Sequence, residues 1–185
     1  KRINHLNESL MLFQAKESTV IPKEVLHKTM MRLYELGHTE RTKINRWKIR
    51  DALRDLGLRK YYENEAQIAF IITGIRPPQM SSAQEERMRM RFCAIQSPFR
   101  KHCPSDRKNF FSYPYVLYKF SDIEGWTEFL CCFRLHKGGD KRRYLDKIWK
   151  KICEELDGQD PTMPWPYRDT PPPSGEGNTE GSSQF

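Results

Sequence analysis

Apolar residues recur every three or four positions along much of this 185-residue chain, the spacing that gathers them on one face of an α-helix. Residues 22–36 open with Pro22 and carry Val25, Leu26, Met30, Leu33 and Leu36 before Gly37, a helix stop. Asn45 to Leu56 place Ile49, Ala52, Leu53 and Leu56 together, with Gly57 as punctuation. A third helix is expected from Tyr61 to Thr73, and a fourth from Ser82, whose partner Glu85 completes a capping box ahead of Met88, Phe92 and Ile95. An aromatic helix over Phe110–Phe120, a short one over Trp126–Leu135 and a last one over Asp140–Leu156 follow. No strand-like alternation of useful length occurs. The pattern predicts an all-α domain of six to seven helices over 21–157, preceded by a polar lead-in at 1–20.

Charge sharpens the division. Residues 1–153 carry 31 Lys and Arg against 17 Asp and Glu, whereas 154–185 carry one Arg and seven acids. The composition turns Pro- and Gly-rich at the same place, so 158–185 reads as a disordered acidic tail unable to bury enough apolar area to offset its ordering entropy. Trp165 and Tyr167, set among prolines, could still form a short docking motif within it. The longest apolar run is a few residues, far short of the roughly 20 that cross a bilayer, so no membrane partner is expected. Lys1 in place of an initiator Met marks the chain as a fragment or a processed form.

Basic residues cluster most densely between Arg41 and Lys60, with eight cations and two acids. On a helical wheel Arg46, Trp47, Arg50 and Arg54 share one side of the second helix, and Lys43 extends it. With the preceding helix and the Gly37-His38 turn this makes a loose helix-turn-helix. Such a face suits a phosphate backbone, which rewards clustered cations, but nothing in it specifies base readout. Arg59 and Lys60 continue the run. Arg100, Lys101, Arg107 and Lys108 flank a loop before Phe110-Phe111, and cations beside aromatics suit single strands; the spacing of Phe110, Tyr113, Leu117 and Phe120 favours a core role for the rings instead. Arg87, Arg89 and Arg91 are spread around their helix. Arg143, Lys147 and Lys150 oppose an apolar stripe, as any amphipathic helix would place them.

Catalytic chemistry is poorly represented. Gly138-Gly139 lacks the Lys-Ser/Thr of a phosphate loop, no Gly-x-Ser-x-Gly elbow occurs, and His5, His27, His38, His102 and His136 form no recognisable set. The odd count of five cysteines argues for a reducing compartment. A zinc site from His102-Cys103 and Cys131-Cys132 fails the usual ligand spacing, because adjacent residues point apart. The reading is therefore non-enzymatic, with no small-molecule substrate, no metal and no cofactor in this chain.

Three blocks resemble the viral late transcription factor 3 family of poxviruses and other large DNA viruses. They are Leu58-Arg59-Lys60-Tyr61-Tyr62-Glu63 with Ile71 through Pro78, then Arg107 through Phe120, then Asp146 through Cys153. Together they span about 40–156. The resemblance implies a factor that helps a virus-encoded RNA polymerase begin transcription at late promoters, inside the infected cell, with DNA, the polymerase or other viral factors as partners. It also implies a zinc-binding ribbon upstream, absent from these residues. A ribbon followed by a helical domain is similar to the cellular TFIIB-like arrangement with cyclin-like helices. Pro114 and the tail beyond Leu156 depart from the family pattern, Pro114 being expected to restrict or kink the start of its helix. A module bridging subunits of the transcription complex, or a virion protein coating nucleic acid without sequence preference, are the alternatives.

Overall fold

The structure is a computed structural model that describes residues 1–105, 107 and 109–172. It divides into two compact units, Lys1–Glu85 and the chain from Glu86 onward. Among the described residues every regular element is helical, as the periodicity predicts.

The first unit begins with α1 (Arg2–Phe13), which buries Leu6, Leu10 and Phe13 at helical spacing. The polar lead-in expected at 1–20 is therefore mostly a helix, its three-residue apolar stripe diluted by polar neighbours. Gln14 fixes its end: the buried amide donates to Leu10 O and Glu85 Oε1 and its oxygen accepts from Met80 N. Next come α2 (Lys23–Glu35), a 3₁₀ turn at Arg41–Lys43 and α3 (Arg46–Asp55), then a 3₁₀ segment at Arg59–Asn64 that runs into α4 (Glu65–Thr73). The Asn45 side chain caps α3 by accepting from Trp47 N and Lys48 N. Gly37 and Gly57, both at positive φ, close α2 and α3 with paired backbone bonds in which His38 N reaches Leu33 O and Leu58 N reaches Leu53 O; a left-handed residue is what this closure needs. Ile21, Val25, Leu33, Ile49, Ala52, Leu53 and Ile68 form the core.

Helix α5 (Ser82–Ala94) contains the division between the units. Its capping box lies one residue earlier than expected: Ser81 Oγ accepts from Gln84 N, and Gln84 Oε1 accepts from Ser81 N. The second unit adds α6 (Gln96–His102), α7 (Tyr113–Glu124), the single turn α8 (Thr127–Leu130) and α9 (Gly139–Leu156). No apolar periodicity announces α6, which contains Pro98; proline is tolerated there since it falls in the first turn. Pro114 likewise sits at the start of α7, where its fixed φ suits a helix and its missing N–H costs no bond. The helix start is thus restricted as expected, to Tyr113, and Phe110-Phe111 precede the helix. Fully buried Trp149 of α9 packs edge-on to Phe111 and Tyr115, with centroids 6.0 and 6.3 Å away.

The tail departs most from expectation. Residues 158–172 lie as a strap on the second unit, and only 173–185 fall outside the described residues. Trp165 is 2% exposed, wedged against Phe120 and Trp149 with the Arg91 guanidinium 4.7 Å from its ring centre. Arg91 donates to Pro164 O, Arg87 to Thr162 O and Lys119 to Arg168 O. Composition misleads here because one buried indole and a few satisfied cations order a segment that averages as polar. Trp165, which could have formed a short docking motif, is instead buried against its own unit.

Candidate nucleic-acid interface

In the first unit, the cations expected to share an open face are drawn inward by one acid. Glu65, at the start of α4, is buried, and its carboxylate accepts from Arg50 Nη1 at 2.8 Å. Arg46 Nε lies 3.8 Å from the same carboxylate, both side chains being about one-tenth exposed. Arg46 also donates to Phe13 O, and Arg50 to Tyr62 O, the latter stacking 4.6 Å from the Tyr62 ring centre. The Arg46 guanidinium lies 5.6 Å from the ring centre of Trp47, which is half-buried. Arg46 and Arg50 thus serve the packing of α3 on its neighbours. A carboxylate fifteen residues downstream could not be read as their partner from the sequence.

The remaining first-unit candidates are open, and two of the four are paired. Arg54 is exposed, with Asp51 at 2.8 Å and Asp55 at 3.8 Å. Lys43 pairs with Glu40 at 2.7 Å, and its hydrogen bond holds the Glu40 carboxyl below the usual carboxylate range. Arg59 and Lys60 are exposed on the 3₁₀ segment, with the Lys60 ammonium 4.9 Å from the Tyr61 ring centre. Neither has an ion pair among the described residues.

In the second unit Arg100 is exposed at the end of α6. Its neighbour Lys101 pairs with Glu155 of α9 at 3.1 Å, and His102 Nε2 bonds the same carboxylate. Arg107 is structural: it donates to Phe110 O and lies over the rings of Phe111 and Tyr144. Lys108 lies outside the described residues. The predicted set is therefore two groups on two units, several of whose members are occupied by protein acceptors.

The cations that sequence reasoning passed over are those of α9. Lys141, Arg143, Lys147, Lys150 and Lys151 are all exposed, while Leu145, Ile148, Trp149, Ile152 and Leu156 bury the opposite side. Positive charge also gathers at the start of this helix: burial, then Lys141 and Arg107, push the His136 imidazole below its ordinary value. Their signal in the sequence is a cationic side facing away from an apolar stripe, the pattern any amphipathic helix shows.

Metal chemistry finds no support in the geometry of these side chains. Cys131 is exposed and Cys132 buried, so the adjacent pair points apart as its spacing requires. Cys103 Sγ lies 3.6 Å from Arg107 O, and His102 is committed to Glu155. Among the described residues no three His, Cys, Asp or Glu side chains gather as a metal site would need, and no helix is long and apolar enough to cross a membrane. The residues present do not fit the zinc of a ribbon.

Comparison with known proteins points the same way as the three sequence blocks. Residues 1–160 match the family described as Poxvirus Late Transcription Factor VLTF3 like. A protein of Acanthamoeba polyphaga mimivirus, named as a candidate transcription factor, is 40% identical over 154 residues, covering 83% of this chain and 36% of its own length. A protein of Paramecium bursaria Chlorella virus 1, named in the same way, is 42% identical over 156 residues, covering 84% of this chain and 43% of its own. The chain thus spans less than half the length of these relatives. No solved structure matches it.

Proposed function

Because the chain belongs to the poxvirus late transcription factor VLTF3-like family, we propose that it is a DNA-associated part of a viral transcription factor, supporting initiation by a virus-encoded RNA polymerase at late promoters. It works inside the infected cell by binding and positioning, without a catalytic step of its own. The observation that carries the reading is the excess of exposed cations. Arg59, Lys60 and Arg100, together with the outer face of α9, present positive charge on both units, the requirement for neutralising phosphates. The buried aromatic block around Trp149 supplies a stiff support rather than stacking platforms.

A second reading, a module that bridges transcription-complex subunits, is favoured by one feature of α2. Met30, Met31, Tyr34 and Leu36 are exposed, and flexible methionines beside an aromatic suit an adaptable protein contact. Equilibrium binding of the full chain to duplex DNA across a salt series separates the readings. Affinity that falls steeply with salt supports DNA contact, because each neutralised phosphate releases counterions. No binding at low salt overturns it and turns the cationic surface toward an acidic protein. Equal affinity for promoter and unrelated duplexes would mark a coating protein instead.

A further inference from the structure

We propose that the outer face of α9 is the phosphate-binding surface of the second unit, with Lys147, Lys150 and Lys151 as its centre. The inference rests on the DNA-contact reading above and names the residues that carry it.

The argument begins with pairing. On α3 the candidate cations have partners within the first unit: Glu65 takes Arg46 and Arg50, and Asp51 and Asp55 take Arg54. On α9 the situation is reversed. Lys147 and Lys151 are exposed and have no ion pair among the described residues. Lys150 is exposed, its ammonium 5.7 Å from the Tyr167 ring centre, an interaction that leaves the charge available. An unpaired exposed cation can neutralise a phosphate directly and release the counterions condensed on the duplex, whereas a paired one must first lose its acid.

Helical geometry then aligns these charges. At 100° per residue, Arg143, Lys147, Lys150 and Lys151 fall on one side of the helix, opposite Leu145, Trp149 and Ile152. They span roughly 12 Å along the axis at 1.5 Å per residue, a length over which a duplex offers about seven charges. The acids of that side lie at its two ends: Asp140, which is bonded to Arg143, and exposed Glu154. Between those ends the exposed side carries only cations, Asp146 being buried against Lys119.

The support is rigid. The helix is eighteen residues long and buries Leu145, Ile148, Trp149 and Ile152. At its start Arg142 donates to His136 O and Lys137 O, tying down the preceding loop. Helix α6 packs along α9 and contributes exposed Arg100. A row of cations on a stiff rod loses less conformational freedom on binding than the same charges on a loop would.

The test compares two variants of the full chain with wild type on one duplex, from about 50 to about 200 mM salt. Lys147→Ala, Lys150→Ala and Lys151→Ala together should lower the salt slope by about three, at roughly 0.9 per lost phosphate contact, and cost tenfold or more in affinity at low salt. The matching first-unit variant, Arg54→Ala, Arg59→Ala and Lys60→Ala, should change the slope less. A triple Lys-to-Arg variant at 147, 150 and 151 should restore binding, and unchanged helicity excludes unfolding. Wild-type binding with an unaltered slope in the α9 variant overturns this inference alone. A wild-type chain that does not bind duplex at all overturns the DNA-contact reading with it.

Discussion

Lys119 of α7 and Asp146 of α9 form a buried ion pair, 3.0 Å apart, with side chains 1% and 8% exposed. The carboxylate also accepts from Tyr115 Oη, from Thr170 N and from Thr170 Oγ1, and the ammonium donates to Arg168 O. Two helices and the strap thus close on one buried charged pair. A buried pair of this kind is costly to break from one side, because the survivor is left charged and unpaired. Lys119→Met or Asp146→Leu alone should each lower unfolding free energy by about 3–5 kcal/mol, and the double variant should recover part of the loss. Denaturant titration measures this, and additive single effects would refute the coupling.

The same carboxylate sets an acid dependence. Burial opposes its ionisation, but the hydrogen bonds from Thr170 and Tyr115 and the Lys119 charge outweigh that and hold Asp146 below the usual carboxylate range. A carboxylate depressed in the folded state contributes stability above its unfolded value, and the contribution is lost as pH falls through the folded value. Wild type should therefore lose stability below about pH 4 more steeply than Asp146→Asn. Parallel melting curves against pH for the two proteins would contradict this.

The strap should be structural. Trp165→Ala removes an indole packed on Phe120 and Trp149, and should cost about 3–5 kcal/mol. Ending the chain after Asp157 should cost more, because Arg91 and Lys119 then also lose the carbonyls of Pro164 and Arg168. Thermal melting of both variants is the check. A truncated chain as stable as the parent would mean that the strap merely rests on the unit.

Thiol reactivity reports the packing independently. Burial pushes the Cys153 thiol up to about 12, while Cys93 and Cys131 are exposed. Only the thiolate attacks an alkylating reagent, so brief iodoacetamide treatment should modify Cys93 and Cys131 and spare Cys132 and Cys153. Peptide mass spectrometry reads the order, and early labelling at 153 would contradict the buried placement.

The first-unit arginines predict a separation of stability from binding. Arg46→Ala leaves buried Glu65 short of a counter-charge and should destabilise the fold by about 2–4 kcal/mol, with little change in the salt dependence of DNA binding. Arg59→Ala should do the opposite. Melting and binding measured on the same two variants decide between these roles.

What could be read from the sequence was what is local. Leu145, Ile148, Trp149, Ile152 and Leu156 announce α9 by spacing alone, and Asn45 before Arg46 announces the start of α3. What could not be read depends on distant partners. Glu65 lies nineteen residues beyond Arg46 and turns a basic face inward; Trp165 finds Trp149 sixteen residues back and orders a segment whose composition signals none. The cations of α9 were visible but indistinguishable from an ordinary solvated face until the acids elsewhere could be seen pairing with the others.

The most direct test of the central claim is a photo-crosslinking side chain placed at position 147 of the full chain, with position 35 on α2 as control, each irradiated with duplex DNA at low salt. The account predicts a protein–DNA adduct from position 147 that disappears as salt rises, and far less from position 35. Bound duplex that crosslinks no better at 147 than at 35 would contradict it.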